Sequence, residues 1–599
     1  MITALISYIA RFFSFFWLTG PVFDKELRVS SRQRRNYYLR FAYIFILMII
    51  LMLIWGRVSN YRNSSVILVS RLAQTGKYIV TYIVWFQFCA AQLIAVVMLS
   101  NSISDEIYHK TLGVLITTPI TSIQIVIGKL LSKLLQIILL LAISIPLLAI
   151  IRIFGGVPWN YIISSLSITL SSVLLISAVS LFYSIFCRKA YTVIIFTVVT
   201  FLVLFALFPF LFVTFIEITN LDSQIPHTLL NYIVIIPNPY IVFFFNYYSI
   251  LNPGQIGVGI SYSLITYVNS AISLISSFLL LIASIIIVRK TALRQASGQL
   301  RSYNKKKTLK TKYGSTGNIK NSNIISVIGP AVFWKEMILP LRKQFRLLRI
   351  IGTVLFMLTL FYSYWFFSRK DAIQQSGIQI IYSLIFMGLG TLFTIVISSV
   401  SITSEKESRS WPLLLTSTLT DSQIIIGKFY GIVSRCLPLW LLLIGHILFF
   451  YTVEYIHFVA VPLILILVSW LISFLCCTGM YFSSIFKHTT TAVIMNFILI
   501  ALIWILFPLM ITLMNFEMRD NLLGTYMSSN PFVQLVVLVE STIKSNAHEE
   551  FAQLRFYWPI GTRNFNETLI AFIISFTEYM SLGLILLWRT KKRIRRKIF

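Results

Sequence analysis

Long apolar segments recur along the whole chain, and they limit its possible folds more than any other feature. A membrane-spanning helix needs about 20 apolar residues, because the hydrocarbon core is about 30 Å thick and each helical residue rises about 1.5 Å. With 57% hydrophobic and 12% charged residues, the chain has more apolar surface than a soluble fold of 599 residues could bury. The sequence therefore predicts an all-α integral membrane protein with twelve transmembrane helices, at about residues 39–56, 78–103, 130–152, 161–187, 191–216, 265–288, 350–367, 377–402, 430–452, 457–486, 490–515 and 567–588.

The basic residues indicate how these spans are oriented. The formal net charge is +31, but Lys and Arg cluster beside apolar spans, which is typical of cytoplasmic loops and argues against nucleic-acid binding. An even number of spans puts both termini on one side, and the basic run at residues 589–597 places that side in the cytoplasm. Residues 217–264 contain no Lys or Arg and are expected outside. We expect a multi-pass protein of the plasma membrane, which in a bacterium is the inner membrane, in contact with membrane lipid.

Two further segments lie outside the spans, one before the first span and one after the sixth. Residues 1–18 are apolar but contain Arg11, and no small-residue cleavage site follows, so residues 1–38 are predicted to hold an interfacial helix rather than a removable signal peptide. Residues 301–328 are rich in Lys, Ser, Thr, Asn and Gly and predict a basic flexible cytoplasmic linker.

The five cysteines lie in or beside apolar spans without metal-ligand spacing, and we expect no metal, cofactor or catalytic site.

Motifs recur at nearly constant offsets, which indicates an internal repeat. Phe23 and Phe333 lie in similar Gly-Pro-containing segments that end in Lys-Glu, at Lys25-Glu26 and Lys335-Glu336, which we predict to form an interfacial elbow in each half. Other pairs lie 299 positions apart: Glu106 with Glu405, Thr121 with Thr420, Gln124 with Gln423 and Lys129 with Lys428. The sequence therefore predicts two parallel six-helix halves, residues 1–300 and 329–599.

The segment after the second span of each half, residues 105–129 and 404–428, begins with charged residues and becomes amphipathic. Glu106 and Lys110 stand four apart, and Leu112 and Leu115 three apart, which predicts a short helix with an ion pair and an apolar contact face. Pro119 is expected to end that helix. Thr and Gln then follow at capping-box spacing, at residues 121 and 124 and at residues 420 and 423, and predict the start of the third span in each half.

These segments resemble the ABC-2 family of ABC-transporter permeases, whose pattern here is approximately E-[KR]-E-x-G-T-L-E-x-L-L-x-T-P followed by Gly-Lys. The second half carries the acidic opening as Glu405-Lys406-Glu407. The first half carries the continuation as Thr111-Leu112, Leu115 and Thr118-Pro119. Lys110 and Arg409 stand where the family often has Gly, and Pro412 interrupts the second copy, so a helix there must restart near Pro412 or be distorted. The two loops are therefore expected to engage partners unequally.

The resemblance implies that each loop is a coupling helix that sits on a cytoplasmic ATPase. The resemblance implies that the chain is the membrane-spanning permease of an ATP-binding-cassette exporter. It implies that ATP is bound by two separate ABC ATP-binding subunits and that this chain has no catalytic activity. The chain itself lacks a G-x-x-x-x-G-K-[ST] phosphate loop. The alternative is an ordinary amphipathic loop helix on the membrane surface. The candidate coupling residues are Glu106, Lys110, Leu112, Leu115, Pro119, Glu405, Glu407, Arg409 and Leu414.

Two further hypotheses concern transport itself. Glu578 lies near the middle of the last span, where a charge is expensive, so it is a candidate pathway residue; a neutral Glu bonded to a neighbouring Ser or Thr is the structural alternative. The main rival function is a twelve-helix secondary transporter of the major facilitator type, which needs no ATPase. Neither half contains a motif that names the substrate.

Overall fold

The computed structural model describes residues 15–32, 34–59, 65–109, 111–152, 156–187, 190–209, 212, 236–251, 262–296, 330–338, 346–369, 373–513, 519–544, 554–559 and 561–595. The chain divides into two compact units, Met1–Ile319 and Lys320–Phe599. The predicted linker, residues 301–328, lies outside the described residues, as do residues 1–14 of the predicted interfacial segment.

Unit 1 is built from helices throughout its described part. In chain order they are α1 (Phe15–Ser31), α2 (Arg34–Ser59), α3 (Ser65–Leu99), α4 (Ser104–His109), α5 (Leu112–Thr117), α6 (Ser122–Arg152), α7 (Trp159–Phe186), α8 (Ala190–Leu202), α9 (Pro239–Leu251) and α10 (Tyr262–Ala296). A π-helical segment, Val203–Leu207, continues α8. Helix α1 breaks at Gly20, whose φ of 59° favours glycine.

Unit 2 repeats this order and adds elements near its end. Its helices are α11 (Ala331–Ile338), α12 (Arg346–Arg369), α13 (Ser376–Val400), α14 (Thr403–Glu407), α15 (Trp411–Leu415), α16 (Asp421–Thr452), α17 (Ala460–Ile485), α18 (Thr489–Ala501), α19 (Phe507–Leu513), α20 (Arg519–Ser529), α21 (Pro531–Lys544) and α22 (Phe565–Arg593). A π-helical segment, Leu502–Leu506, joins α18 to α19. Strands β1 (Arg555–Trp558) and β2 (Gly561–Asn564) form an antiparallel hairpin, so the all-α prediction missed one small element.

Each of the twelve segments predicted as spans contains a helix in the part of the chain that the structure describes. Within the described residues, nine helices are long and apolar enough to cross a membrane. The other three predicted spans correspond to α2, to α8 with its π-helical continuation, and to α12. The structure therefore describes a multi-span helical membrane protein, and the count of twelve stays a prediction.

Each unit packs its spans through different side chains. In unit 1, α10 runs along α7, and the buried face of α7 is rich in serine, including Ser165, Ser172 and Ser177. Small polar residues let helix backbones approach closely where lipid offers no hydrophobic gain from association. In unit 2, α17 packs against α13 and α22, and the rings of Trp470 and Tyr579 stack with centroids 4.4 Å apart. The two repeats thus share an element order without sharing a core.

Candidate functional site

The predicted coupling helix is two short helices in each unit. Loop 1, residues 104–121, contains α4 and α5, and loop 2, residues 403–420, contains α14 and α15. In loop 2 the bend is a Schellman motif, in which Ser410 N–H donates to Glu405 O (3.0 Å) and Arg409 N–H donates to Lys406 O (3.1 Å). Arg409 has a φ of 55°, which the motif requires and glycine adopts most easily. Loop 1 has the equivalent of the first of these bonds, in which Thr111 N–H donates to Glu106 O (2.9 Å).

Helix α15 restarts beside Pro412, one of the two geometries expected from the sequence. Its first residue is Trp411, so Pro412 occupies the first turn, where a missing N–H costs no helical hydrogen bond. Both predicted capping boxes are present at the starts of the third spans. Thr121 and Gln124 exchange bonds of 3.1 and 3.3 Å, and Thr420 and Gln423 exchange bonds of 3.0 and 3.3 Å. The turn between the short helices and the third span is therefore fixed in both units.

A buried ion pair joins each loop to its third span. In unit 1, Glu106 Oε1 lies 2.6 Å from Lys129 Nζ, which also donates to Ser102 O. Lys110, the predicted partner of Glu106, lies outside the described residues, so that pair stays a prediction beside the observed contact with Lys129. In unit 2, Glu405 Oε1 lies 3.1 Å from Lys428 Nζ, which donates to Ser401 O (2.9 Å).

The elbow segment extends this ion pair in unit 2. Lys335 Nζ lies 3.1 Å from Glu405 Oε1, and Glu336 contacts both Lys428, at 3.4 Å, and Arg435. Buried charges are tolerated when they are paired, and the buried Lys428 contacts both Glu405 and Glu336, each of which also contacts a second cation. Burial alone would raise the pKa of Glu336, but the surrounding Lys428, Arg435 and Lys335 outweigh it and lower that pKa below its ordinary value.

Two glycines on α16 let the elbow helix α11 approach it closely. A Cβ on Gly427 would lie 2.8 Å from the Val332 side chain, and one on Gly431 would lie 2.7 Å from the Glu336 side chain. Both distances are shorter than the contacts that a Cβ atom makes in proteins. Any larger residue at either position would therefore push α11 away and separate Glu336 from its partners.

Unit 1 has a sparser version of the elbow contact. Glu26 Oε2 lies 3.6 Å from Lys133 Nζ on α6, and the Lys25 side chain is exposed. Lys133 corresponds by offset to residue 432, one helical turn before Arg435, so both units reach the elbow glutamate from the third span with different basic residues. The repeat in the sequence could predict Glu26 and Glu336 as equivalent residues, but it could not predict which basic residue of the third span pairs with each.

The surface that each loop offers differs from the predicted one. Leu112 is fully buried, Leu115 and Leu414 are half-buried, and Pro119 is exposed. The exposed apolar residues are Val114, at 66% exposure, and Leu413, at 74%, which stand 299 positions apart. They were missed because a helix of one turn has no periodicity from which to read its inner face. Glu407 is half-buried, and its Oε1 accepts a bond from Thr489 N–H (2.7 Å).

Glu578 lies on the exposed face of α22, away from the core of unit 2. Its backbone carbonyl accepts a bond from Ser581 Oγ (2.8 Å). The structure does not bring it together with the loop residues, and its role in a pathway stays a prediction.

Both loops, with their ion pairs and the third spans that follow them, lie within regions that match a known protein family. The family model described as ABC-2 family transporter protein matches residues 21–372 and 306–588. The chain belongs to the ABC-2 transporter family. Two matched regions in one ABC-2 chain confirm the predicted fusion of two family-like halves. No curated protein and no solved structure matches the chain.

Membership of the ABC-2 family makes this chain a membrane component of a transporter of the ABC type. The major facilitator alternative is not supported.

Proposed function

We propose that this chain is the membrane-spanning permease of an ATP-binding-cassette exporter and that loops 1 and 2 dock on two cytoplasmic ATPase subunits. The observation that supports this most directly is the same construction in both units. Each loop carries an exposed apolar residue, Val114 or Leu413, on a one-turn helix whose neighbour is held to the third span by a buried ion pair. A single exposed apolar residue is ordinary on a protein surface, but the same exposed apolar position on an anchored helix in both units fits a protein contact.

The ion pairs give the loops the stiffness that coupling needs. Energy released in a soluble subunit reaches the membrane only through an element that both subunits hold and that moves as a body. Lys129 and Lys428 are each nearly fully buried, so losing Glu106 or Glu405 would leave an uncompensated buried cation. A loop anchored in this way would transmit a displacement to the third span instead of bending.

The charge distribution of unit 2 supports a cytoplasmic position for the loops and both termini. Arg595 Nε lies 2.7 Å from Asp421 Oδ1 at the start of α16, so the basic last turn of α22 lies at the same end as loop 2. Lys and Arg at span ends favour the cytoplasmic side. In this arrangement the chain lies in the plasma membrane, the inner membrane of a bacterium, with its exposed apolar faces in lipid.

ATP would be bound and hydrolysed by the partner subunits, and this chain would supply the route across the membrane. Co-purification from the native membrane tests the proposal. A cytoplasmic ATPase should accompany the unaltered chain and be lost from the double variant Glu106→Gln with Glu405→Gln, because both loops lose their anchors. Glu454→Gln, which removes an exposed acid from the turn after α16, is the control and should retain the ATPase. Transport driven by an ion gradient in vesicles without ATP would overturn the proposal.

A further inference from the structure

Lys406 fastens loop 2 to the end of the fourth span of unit 2. Its Nζ donates to Ser483 O (3.0 Å), to Ser484 O and to Phe486 O (3.3 Å). Helix α17 ends at Ile485, so the carbonyls of Ser483 and Ser484 belong to its last turn, where the helix itself supplies no partners, and Phe486 is the residue that follows it. A cation is also favoured at a helix C-terminus by the helix dipole. Hydrogen bonds and the helix dipole therefore favour the contact, whereas burial and the nearby Lys487 oppose the charge and lower the pKa of Lys406 to about 8.

Glu407 fastens the same loop to the start of the fifth span. Its Oε1 accepts from the N–H of Thr489, the first residue of α18, at 2.7 Å. The Nδ1 atom of His488, the residue that precedes α18, lies 4.0 Å from that oxygen. An anion is favoured at a helix N-terminus for the same reason that a cation is favoured at the opposite end. Consecutive residues of α14 thus contact the two sides of the turn that joins spans four and five.

Loop 1 has neither a cation nor a carboxylate at the two equivalent positions. The residues 299 positions earlier are Ile107, a buried aliphatic side chain with no N–H to donate, and Tyr108, which has no carboxylate. The packing differs in the same way: α14 packs against α18, whereas α4 packs against α7. The Glu-Lys-Glu sequence of loop 2 and the Glu-Ile-Tyr sequence of loop 1 therefore attach equivalent loops to different sets of spans.

The fifth span of unit 2 leads from this attachment to an irregular segment. Helix α18 continues into the π-helical Leu502–Leu506, and such segments inside helices occur frequently at functional sites. The carbonyl of Trp504 within it accepts from Asn530 Nδ2 (2.9 Å), directly before α21. A displacement of α14 would therefore move α18 and reach the segment where the fifth span meets α21.

We propose that Lys406 and Glu407 are positioning residues that make loop 2 the lever for the fifth span of unit 2, and that loop 1 lacks this joint. The inference rests on the proposed coupling to an ATPase. It predicts that nucleotide binding by the partner moves the π-helical segment of unit 2 only when both residues are present.

An environment-sensitive fluorescent amino acid at Leu502 tests this in the full chain with its co-purified ATPase. Val203 is the matched position in unit 1, since each residue is exposed and begins its π-helical segment. A non-hydrolysable ATP analogue should shift the emission at Leu502. The double variant Lys406→Met with Glu407→Ala should lose most of that shift, because the charge-assisted hydrogen bonds that connect the loop to the ends of the fourth and fifth spans are removed. The response at Val203 should not change.

Two variants separate positioning from general damage. Lys406→Arg keeps a donor cation and should keep the shift at Leu502. Lys591→Met with Glu567→Ala removes one exposed cation and one exposed anion from α22 and should also keep it. Hydrogen exchange supplies a readout that needs no ATPase: the Thr489 amide should exchange about tenfold faster in Glu407→Ala, since its acceptor is gone.

The outcomes distinguish this inference from the proposed function. If no ATPase accompanies the unaltered chain, the proposed function fails and this inference fails with it. If the ATPase accompanies both the unaltered chain and the double variant, and Leu502 responds equally in both, the lever is overturned while the exporter stands. An unaltered complex whose ATPase binds nucleotide without any response at Leu502 also overturns the lever.

Discussion

At the scale of single residues, Glu336 shows how charge fixes the elbow of unit 2. Its pKa lies below the ordinary value of 4.5, because Lys428, Arg435 and Lys335 outweigh the effect of burial. A carboxylate with a lowered pKa stabilises the fold at pH values above its unfolded pKa, and that stabilisation is lost as the pH falls through the folded pKa. The elbow contact should therefore be fully formed near neutral pH and should fail in acid.

We predict that Glu336→Gln lowers the free energy of unfolding by about 2 kcal/mol at pH 7, since charged hydrogen bonds to Lys428 and Arg435 are lost. Thermal unfolding of the purified variant and the unaltered chain would measure this. The difference should narrow as the pH is lowered below 4.5, where the unaltered Glu336 becomes protonated. Glu454→Gln, on an exposed turn, should show no such convergence. A difference that is constant between pH 7 and acid would contradict the assignment.

At the scale of elements, the ends of the short helices decide the shape of the loops. Arg409 occupies the position after the end of α14 with a φ of 55°, a conformation that costs a residue with a Cβ about 1 kcal/mol or more. The family pattern often has Gly at this point, and the Schellman bonds of Ser410 and Arg409 explain why. Arg409 is exposed, so its side chain gives little in return within unit 2.

Arg409→Gly should therefore raise the free energy of unfolding by about 1 kcal/mol, since glycine adopts this conformation without the Cβ penalty. Arg409→Ala removes the same charge and keeps the Cβ, which makes it the matched control. Thermal unfolding of both purified variants is the measurement. Equal stabilities for the two variants would show that the charge of Arg409, and not its backbone conformation, governs this turn.

Local sequence signals predicted these element ends well. The capping boxes at Thr121 and Thr420 and the restart of α15 beside Pro412 depend on residues within four positions of one another, so spacing alone carries them. The partner of Glu106 could not be predicted in this way. Lys129 stands 23 positions away and comes close only because α6 returns beside α4, whereas spacing indicates only neighbours within one helix, such as Lys110. The hairpin of β1 and β2 was also missed, because its strands are four residues each.

At the scale of the whole molecule, both units share the ion pair that holds the loop to the third span, and they differ in the other contacts that the loop makes. Both loops use a Glu and a Lys to reach the third span, and loop 2 also contacts the ends of the fourth and fifth spans through Lys406 and Glu407, whose equivalents in loop 1 are Ile107 and Tyr108. A loop held at more points loses less conformational entropy when a partner binds. The two ATPase sites of the proposed exporter should therefore differ in strength, with loop 2 the stronger.

We predict that Leu413→Asp reduces the amount of co-purified ATPase more than Val114→Asp does. Each change places a charge on the exposed apolar residue of one loop, and burying an unpaired carboxylate in a contact is unfavourable. Because loop 2 is pre-organised, its loss should remove the larger share of the binding free energy. Val453→Asp, an exposed residue in the turn after α16, controls for the added charge and should leave the ATPase bound. Quantifying the ATPase per purified chain gives the answer, and a greater loss from Val114→Asp would mean that loop 1, despite its fewer anchors, is the principal docking site.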